Sequence, residues 1–281
     1  MKRLDGKEVA NFLKENSIKT IEELKSNGIS LTLAVVLPTN DPSSLSYLKG
    51  RMKMAENVGI NLKPITFEET PSQDKIVETI ISLNNDPSIT GIMVDRPFPK
   101  GVDEKIINNS IDPKKDVDGV TSLNAGLLAQ GLPSLVPPTA FACIKVLNYY
   151  NIDLSGVNAV VVGRSASVGR PLAQLLVNSN ATVTVCHSKT KNLQEVTKKA
   201  EVLCVAIGRK EMIDESYLSN DQILIDVGIH YNELGKLCGD IKESSKEQAL
   251  MATPVPGGIG SITNYTLLEN LILAHKLQKE N

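Results

Sequence analysis

Apolar positions along this chain alternate between helical spacing and short unbroken runs. Residues 7–27 repeat apolar positions at the helical period, with Val9, Phe12 and Leu13 on one face, and predict a helix. Ser30–Pro38 is a continuous aliphatic and β-branched run, the pattern of a strand buried on both faces. Thr39-Asn40-Asp41-Pro42-Ser43-Ser44 is turn chemistry that can also cap the helix after it, which carries Tyr47 to about Val58 and stops at Gly59. A strand near 62–67, a helix over 73–84 and a strand at 89–94 complete a βαβαβ half. Ile111-Asp112-Pro113 and the run from Gly131 to Pro138 mark connections between domains. The second half repeats the alternation, with strands near 157–162, 181–186, 201–206 and 222–227 and helical segments between the first three. An amphipathic helix over 264–279 ends the chain. Alternation this regular predicts an α/β protein with parallel sheets and right-handed crossovers.

Composition narrows the function classes. The 281 residues suffice for two domains with a sizeable core in each. A formal net charge of −2 offers no electrostatic case for nucleic acid or an anionic membrane, and without tryptophan there are few stacking platforms for single strands. Cys143, Cys186, Cys204 and Cys238 show no CxxC spacing, so no disulfide and no metal is expected, which suits a reducing cytoplasm. The first residues lack the apolar core of a signal peptide, and no apolar run reaches bilayer-spanning length.

The chemistry concentrates at strand ends. Val160-Val161-Val162-Gly163-Arg164-Ser165 reads as a strand running into a glycine turn, with a helix beginning near Gly169. Backbone N–H groups at such a turn are unsatisfied and suit a phosphate. The spacing is not the full G-x-G-x-x-G, so the turn alone is a modest signal. The next strand ends in Cys186-His187-Ser188-Lys189-Thr190, where NAD sites usually carry an acid for the ribose 2′-hydroxyl. Histidine, serine and lysine suit a 2′-phosphate instead, which points to NADP, with NAD left open. Asp226-Val227-Gly228-Ile229 ends the fourth strand and brings backbone toward the nicotinamide end.

These segments, together with Lys115-Asp116-Val117-Asp118-Gly119 and Pro254-Val255-Pro256-Gly257-Gly258-Ile259-Gly260, stand in the order and spacing of a known family. The chain resembles methylenetetrahydrofolate dehydrogenase/cyclohydrolase over nearly its whole length. The resemblance implies an N-terminal αβα catalytic domain with a mostly parallel sheet (1–138 plus the C-terminal helix 264–281) and a Rossmann-type NADP-binding domain (139–263), with the folate cleft between them. It also implies a homodimer acting on tetrahydrofolate derivatives in one-carbon metabolism that supplies purine synthesis. The implied chemistry is hydride transfer from 5,10-methylenetetrahydrofolate to NADP⁺, then hydrolysis of the methenyl product to 10-formyltetrahydrofolate. By position, Tyr47 lines the folate rings, Asp118 hydrogen-bonds the pterin, and Pro256, Gly257 and Gly258 cover it. Gly163, Arg164, Ser165, Ser188 and Ile229 contact the dinucleotide.

The chain departs from the family's usual pattern at several positions, two of them paired. The family reads Tyr-x-x-x-Lys on the helix after the first strand; here Arg51 stands four residues after Tyr47. A buried lysine can exchange a proton, whereas arginine keeps its own. Lys49 and Lys53 point about 200° away from Arg51 around a helix and do not substitute. The family's Val-Gln-Leu-Pro-Leu-Pro is Val94-Asp95-Arg96-Pro97-Phe98-Pro99 here, so a Lys–Gln pair becomes Arg51–Asp95, a candidate for a charge-assisted, bidentate contact. Pro138, Ala140, Ser261 and Asn264 are further departures. The expectation is a dehydrogenase whose cyclohydrolase is weak, lost or reorganised around Asp95. The rivals are a shikimate-like NADP dehydrogenase, which leaves Asp118 and the Pro256-Gly257-Gly258 run without purpose, and a non-catalytic folate- or NADP-binding module, which turnover would exclude.

Overall fold

The computed structural model describes residues 1–39 and 41–279. The elements in chain order are β1 (Lys2–Arg3), α1 (Gly6–Ser26), β2 (Thr32–Val36), α2 (Pro42–Val58), β3 (Asn61–Ile65), α3 (Gln73–Asn85), β4 (Gly91–Val94), α4 (Glu104–Ser110), α5 (Ser122–Ala129) and α6 (Pro138–Tyr149). They continue with β5 (Asn158–Val162), α7 (Gly169–Asn178), β6 (Thr182–Cys186), α8 (Leu193–Lys198), β7 (Val202–Val205), β8 (Ile223–Asp226), β9 (His230–Tyr231), β10 (Leu237–Cys238), β11 (Met251–Ala252) and α9 (Thr263–Leu277). The chain divides into two compact units, one of residues 13–136 and 267–281, the other of residues 1–12 and 137–266.

In the first unit a three-stranded parallel sheet runs in the order β3-β2-β4. β2 is central and buried from Leu33 to Val36, as its unbroken aliphatic run requires. α3 starts where the Ser72 side chain accepts the Lys75 N–H, and it lays Ile76, Ile80 and Leu83 into one core with Val36, Ile92 and Ile107. Ile111 lies in that same core, so Ile111-Asp112-Pro113 is an internal turn of this unit and not a connection between domains. The run from Gly131 to Pro138 does contain the boundary, at 136/137.

In the second unit a six-stranded parallel sheet runs β1-β11-β8-β7-β5-β6. Its core gathers Val160, Val162, Leu203, Val205 and Leu224. β1 pairs with β11, Lys2 opposite Met251 and Arg3 opposite Ala252. That pairing puts residues 1–12 in this unit, where the sequence analysis assigns them to the catalytic domain. Phe12 also differs from its expected place beside Val9 and Leu13. Those two are buried, while Phe12 is 49% exposed and packs its ring at 5.5 Å from that of Tyr149.

Candidate functional site

The β5 exit forms the first candidate pocket. Gly163 takes φ +129°, and a Cβ there would collide with the carbonyl oxygen of Ala206, so only glycine closes this turn against the β7 exit. Ser165 does local work: its Oγ accepts the N–H groups of Val168 (3.2 Å) and Gly169 (3.3 Å), capping the start of α7. At the β6 exit a closed turn forms, with the His187 N–H donated to Thr190 Oγ1 (2.8 Å) and the Lys189 N–H to His187 Nδ1 (3.1 Å). The turn leaves Ser188 and Lys189 exposed. Gly163, Arg164, Ser165, His187 and Ser188 line one pocket of about 250 Å³ with apolar Leu193, Ile207 and Met212. No carboxylate lines it, and among the described residues neither Arg164 nor Arg209 has an ion-pair partner. An apolar slot beside unpaired guanidinium groups fits a dinucleotide with a phosphorylated ribose. Sequence reasoning missed Arg209, although its place just beyond the carboxyl end of β7 is the signal that identified the other strand-end residues.

Ile229 falls elsewhere. It lines a second pocket, of about 240 Å³, with the β8-exit residues Asp226, Val227 and Gly228 and the run from Pro254 to Ser261. Pro256, Gly257 and Gly258 form one wall, with Gly257 at φ +94°.

The remaining candidates sit in the unit of residues 13–136 and 267–281. Arg51 and Asp95 meet: a single nitrogen, Arg51 Nη1, donates to both carboxylate oxygens at 2.8 and 2.6 Å, with the side chains 14% and 10% exposed. The contact is charge-assisted and shared by one nitrogen, not a two-nitrogen fork. Lys49 and Lys53 face solvent, and Tyr47, one turn before Arg51, is 67% exposed. At the β4 exit Arg96 pairs with Glu104, and its carbonyl accepts the Ser44 hydroxyl at 2.9 Å.

Asp118 is presented by a rigid loop. Lys115 Nζ donates to the carbonyls of Leu83 (3.1 Å), Asn84 (2.8 Å) and Asp86 (2.8 Å), fixing the loop to the end of α3. The buried Asp116 carboxylate accepts N–H groups from Val120 and Thr121 and the amide of Asn124. From α9, Asn270 Nδ2 donates to the carbonyls of Val117 (2.8 Å) and Val136 (2.7 Å). Replacing Asn270 by alanine leaves two carbonyls without donors and is expected to cost about 1–3 kcal/mol, read from the urea midpoint. Among the described residues nothing in the chain hydrogen-bonds the Asp118 carboxyl. Burial pushes it up to about 6, against the pull of Arg96 and Arg51, while Asp116 and Asp95 push with burial.

Relatives match the chain over nearly its whole length. Residues 4–118 match the family described as tetrahydrofolate dehydrogenase/cyclohydrolase, catalytic domain, and residues 137–279 its NAD(P)-binding domain. The chain is 44% identical over 274 residues to the bifunctional protein FolD of Bacillus subtilis, covering 97% of each. It superposes with a TM-score of 0.96 at 38% identity on the bifunctional methylenetetrahydrofolate dehydrogenase/cyclohydrolase of Campylobacter jejuni, covering 99% of both chains. The Trypanosoma brucei enzyme, solved with NADP cofactor and inhibitor, gives 0.91 at 27% identity, with 99% of this chain and 98% of that one covered. The chain belongs to the tetrahydrofolate dehydrogenase/cyclohydrolase family.

Proposed function

We propose that this protein oxidises 5,10-methylenetetrahydrofolate to 5,10-methenyltetrahydrofolate with NADP⁺, and that its hydrolysis of the methenyl product is weak or lost. The observation that carries the reading is the carboxylate-free pocket at the β5 and β6 exits within a chain of this family. The chemistry supplied by a bound dinucleotide is acceptance of a hydride. Arg164 and Ser188 hold the 2′-phosphate, the Gly163–Ser165 backbone takes the pyrophosphate, and Ile229 contacts the nicotinamide end. Tyr47 lines the folate rings and Asp118 accepts from pterin N–H groups. Pro256, Gly257 and Gly258 cover the pterin. Arg51, tied to Asp95, offers attacking water a guanidinium, which is not a base. Hydride transfer needs orientation and a dry site more than a side-chain acid, so the first reaction survives this change.

Among the described residues no helix is long and apolar enough to cross a membrane, and all four cysteines are free and buried. These features support a cytoplasmic setting, and the resemblance supports a homodimer that supplies one-carbon units for purine synthesis. Turnover with NADP⁺ and NAD⁺ measured side by side tests the cofactor assignment. Arg164→Ala and Ser188→Ala are each expected to raise the KM for NADP⁺ about tenfold while changing that for NAD⁺ less than twofold. Equal losses with both cofactors would refute the 2′-phosphate assignment.

A further inference from the structure

We propose that Asp240 is a positioning residue that ties the adenosine pocket to the pocket at the β8 exit, with His230 as its link. The inference rests on the dinucleotide reading above. Asp240 follows β10, which is paired with β9 so that Cys238 lies opposite His230. The short hairpin thereby returns Asp240 to the start of β9, and its carboxylate is fully buried.

That carboxylate accepts four hydrogen bonds from two strand exits. Oδ2 takes the N–H groups of Ile207 (2.7 Å) and Gly208 (3.1 Å), and Oδ1 takes that of Arg209 (2.8 Å). These three residues form the β7 exit, whose Ile207 and Arg209 line the adenosine pocket. Oδ1 also accepts from His230 Nε2 at 2.8 Å. His230 directly follows Ile229, which lines the other pocket. One buried anion thus fixes the wall of one pocket by its amides and the wall of the other by an imidazole.

Asp240 is itself held. Its N–H donates to Asp226 Oδ1 at 2.9 Å, and that oxygen also accepts the Gly228 N–H at 3.1 Å. The buried Lys246 ammonium reaches Asp226 Oδ2 at 3.0 Å and the Thr253 carbonyl at 3.2 Å. The packing is close enough that a Cβ at Gly228 would lie on the Asp240 carboxyl. Three donors from one loop and one from another need a carboxylate; asparagine would turn an N–H against an N–H. The roles therefore separate by substitution. Removing the imidazole cuts the link and spares the β7 exit, whereas removing the charge releases both.

The test uses 2′,5′-ADP, which carries the adenosine half alone, and NADP⁺, with binding read by calorimetry. In His230→Ala the Kd for 2′,5′-ADP is expected to stay within twofold while that for NADP⁺ rises about tenfold and kcat falls. His230→Gln restores an N–H donor and is expected to recover most of the loss. Asp240→Asn is expected to weaken both probes at least tenfold. If His230→Ala moves both probes equally, or neither, the link is overturned, even if Asp240→Asn does not fold. Failure of the unsubstituted protein to bind either probe would instead overturn the dinucleotide reading, and the inference with it.

Discussion

Restoring lysine and glutamine at positions 51 and 95 together is expected to raise methenyltetrahydrofolate hydrolysis by about 100-fold or more while leaving NADP⁺ reduction within a few-fold. The size follows from what a positioned proton-transfer group contributes, roughly 10²–10⁴ in rate. Arg51 cannot supply that contribution, because a guanidinium is not a proton acceptor in a protein, and here it is tied to Asp95 at 2.6 Å. Asp95 is no free base either, with both oxygens engaged by Arg51 Nη1. The single change Arg51→Lys should recover much less than the double change. A lysine beside the Asp95 carboxylate is stabilised as the ammonium, the form that cannot accept a proton. Separate assays of dehydrogenase and hydrolysis, corrected for uncatalysed hydrolysis, read the ratio. Robust hydrolysis by the unsubstituted protein that survives both Arg51→Ala and Asp95→Asn would sink the reading.

The pairing of Arg51 with Asp95 was legible in the sequence because it is a coupled change at two positions whose family partners touch. Its geometry was not legible: helix periodicity turned Lys49 and Lys53 away from Arg51, but it could not choose between a two-nitrogen fork and one shared nitrogen. The strands followed the same rule. β2, β5 and β7 are largely apolar runs and declare themselves, whereas β1 is two residues long and exists only through its pairing with β11 across nearly the whole chain, and β11 is two residues held between β1 and β8. Lys115 and Asp116 read as part of a motif; only the fold shows that they hold the loop that carries Asp118. Asp240 and Lys246 were invisible for the same reason. A buried charge is recognised by its partners, and apart from Glu243 beside Lys246 these come from the β7, β8 and β11 exits and not from neighbouring positions in the sequence.

Asp118 should set the pH dependence of folate turnover. Its carboxyl is pushed up to about 6, chiefly by burial, so below that pH the folded protein holds it protonated. The ionised form is the one that accepts from pterin N–H groups, so kcat/KM for the folate is expected to fall about tenfold per pH unit below 6, while binding of 2′,5′-ADP stays flat. Asp118→Asn removes the ionisation and should abolish that acid limb. It should also lower kcat/KM at pH 7.5 by about 10- to 100-fold, the worth of a charge-assisted hydrogen bond. Stability moves the opposite way. A carboxyl whose folded value lies above its ordinary 3.8 favours the fold fully below about pH 4, and that contribution is lost as pH rises through 6. At neutral pH the buried charge is therefore a cost, and Asp118→Asn is expected to stabilise the protein by about 1–2 kcal/mol at pH 7.5, with no gain at pH 4. Activity and stability changing in opposite directions marks a residue kept for binding and not for the fold. If Asp118→Asn instead lowers the melting temperature at pH 7.5, or leaves the acid limb in place, Asp118 is a packing residue and the pterin contact lies elsewhere.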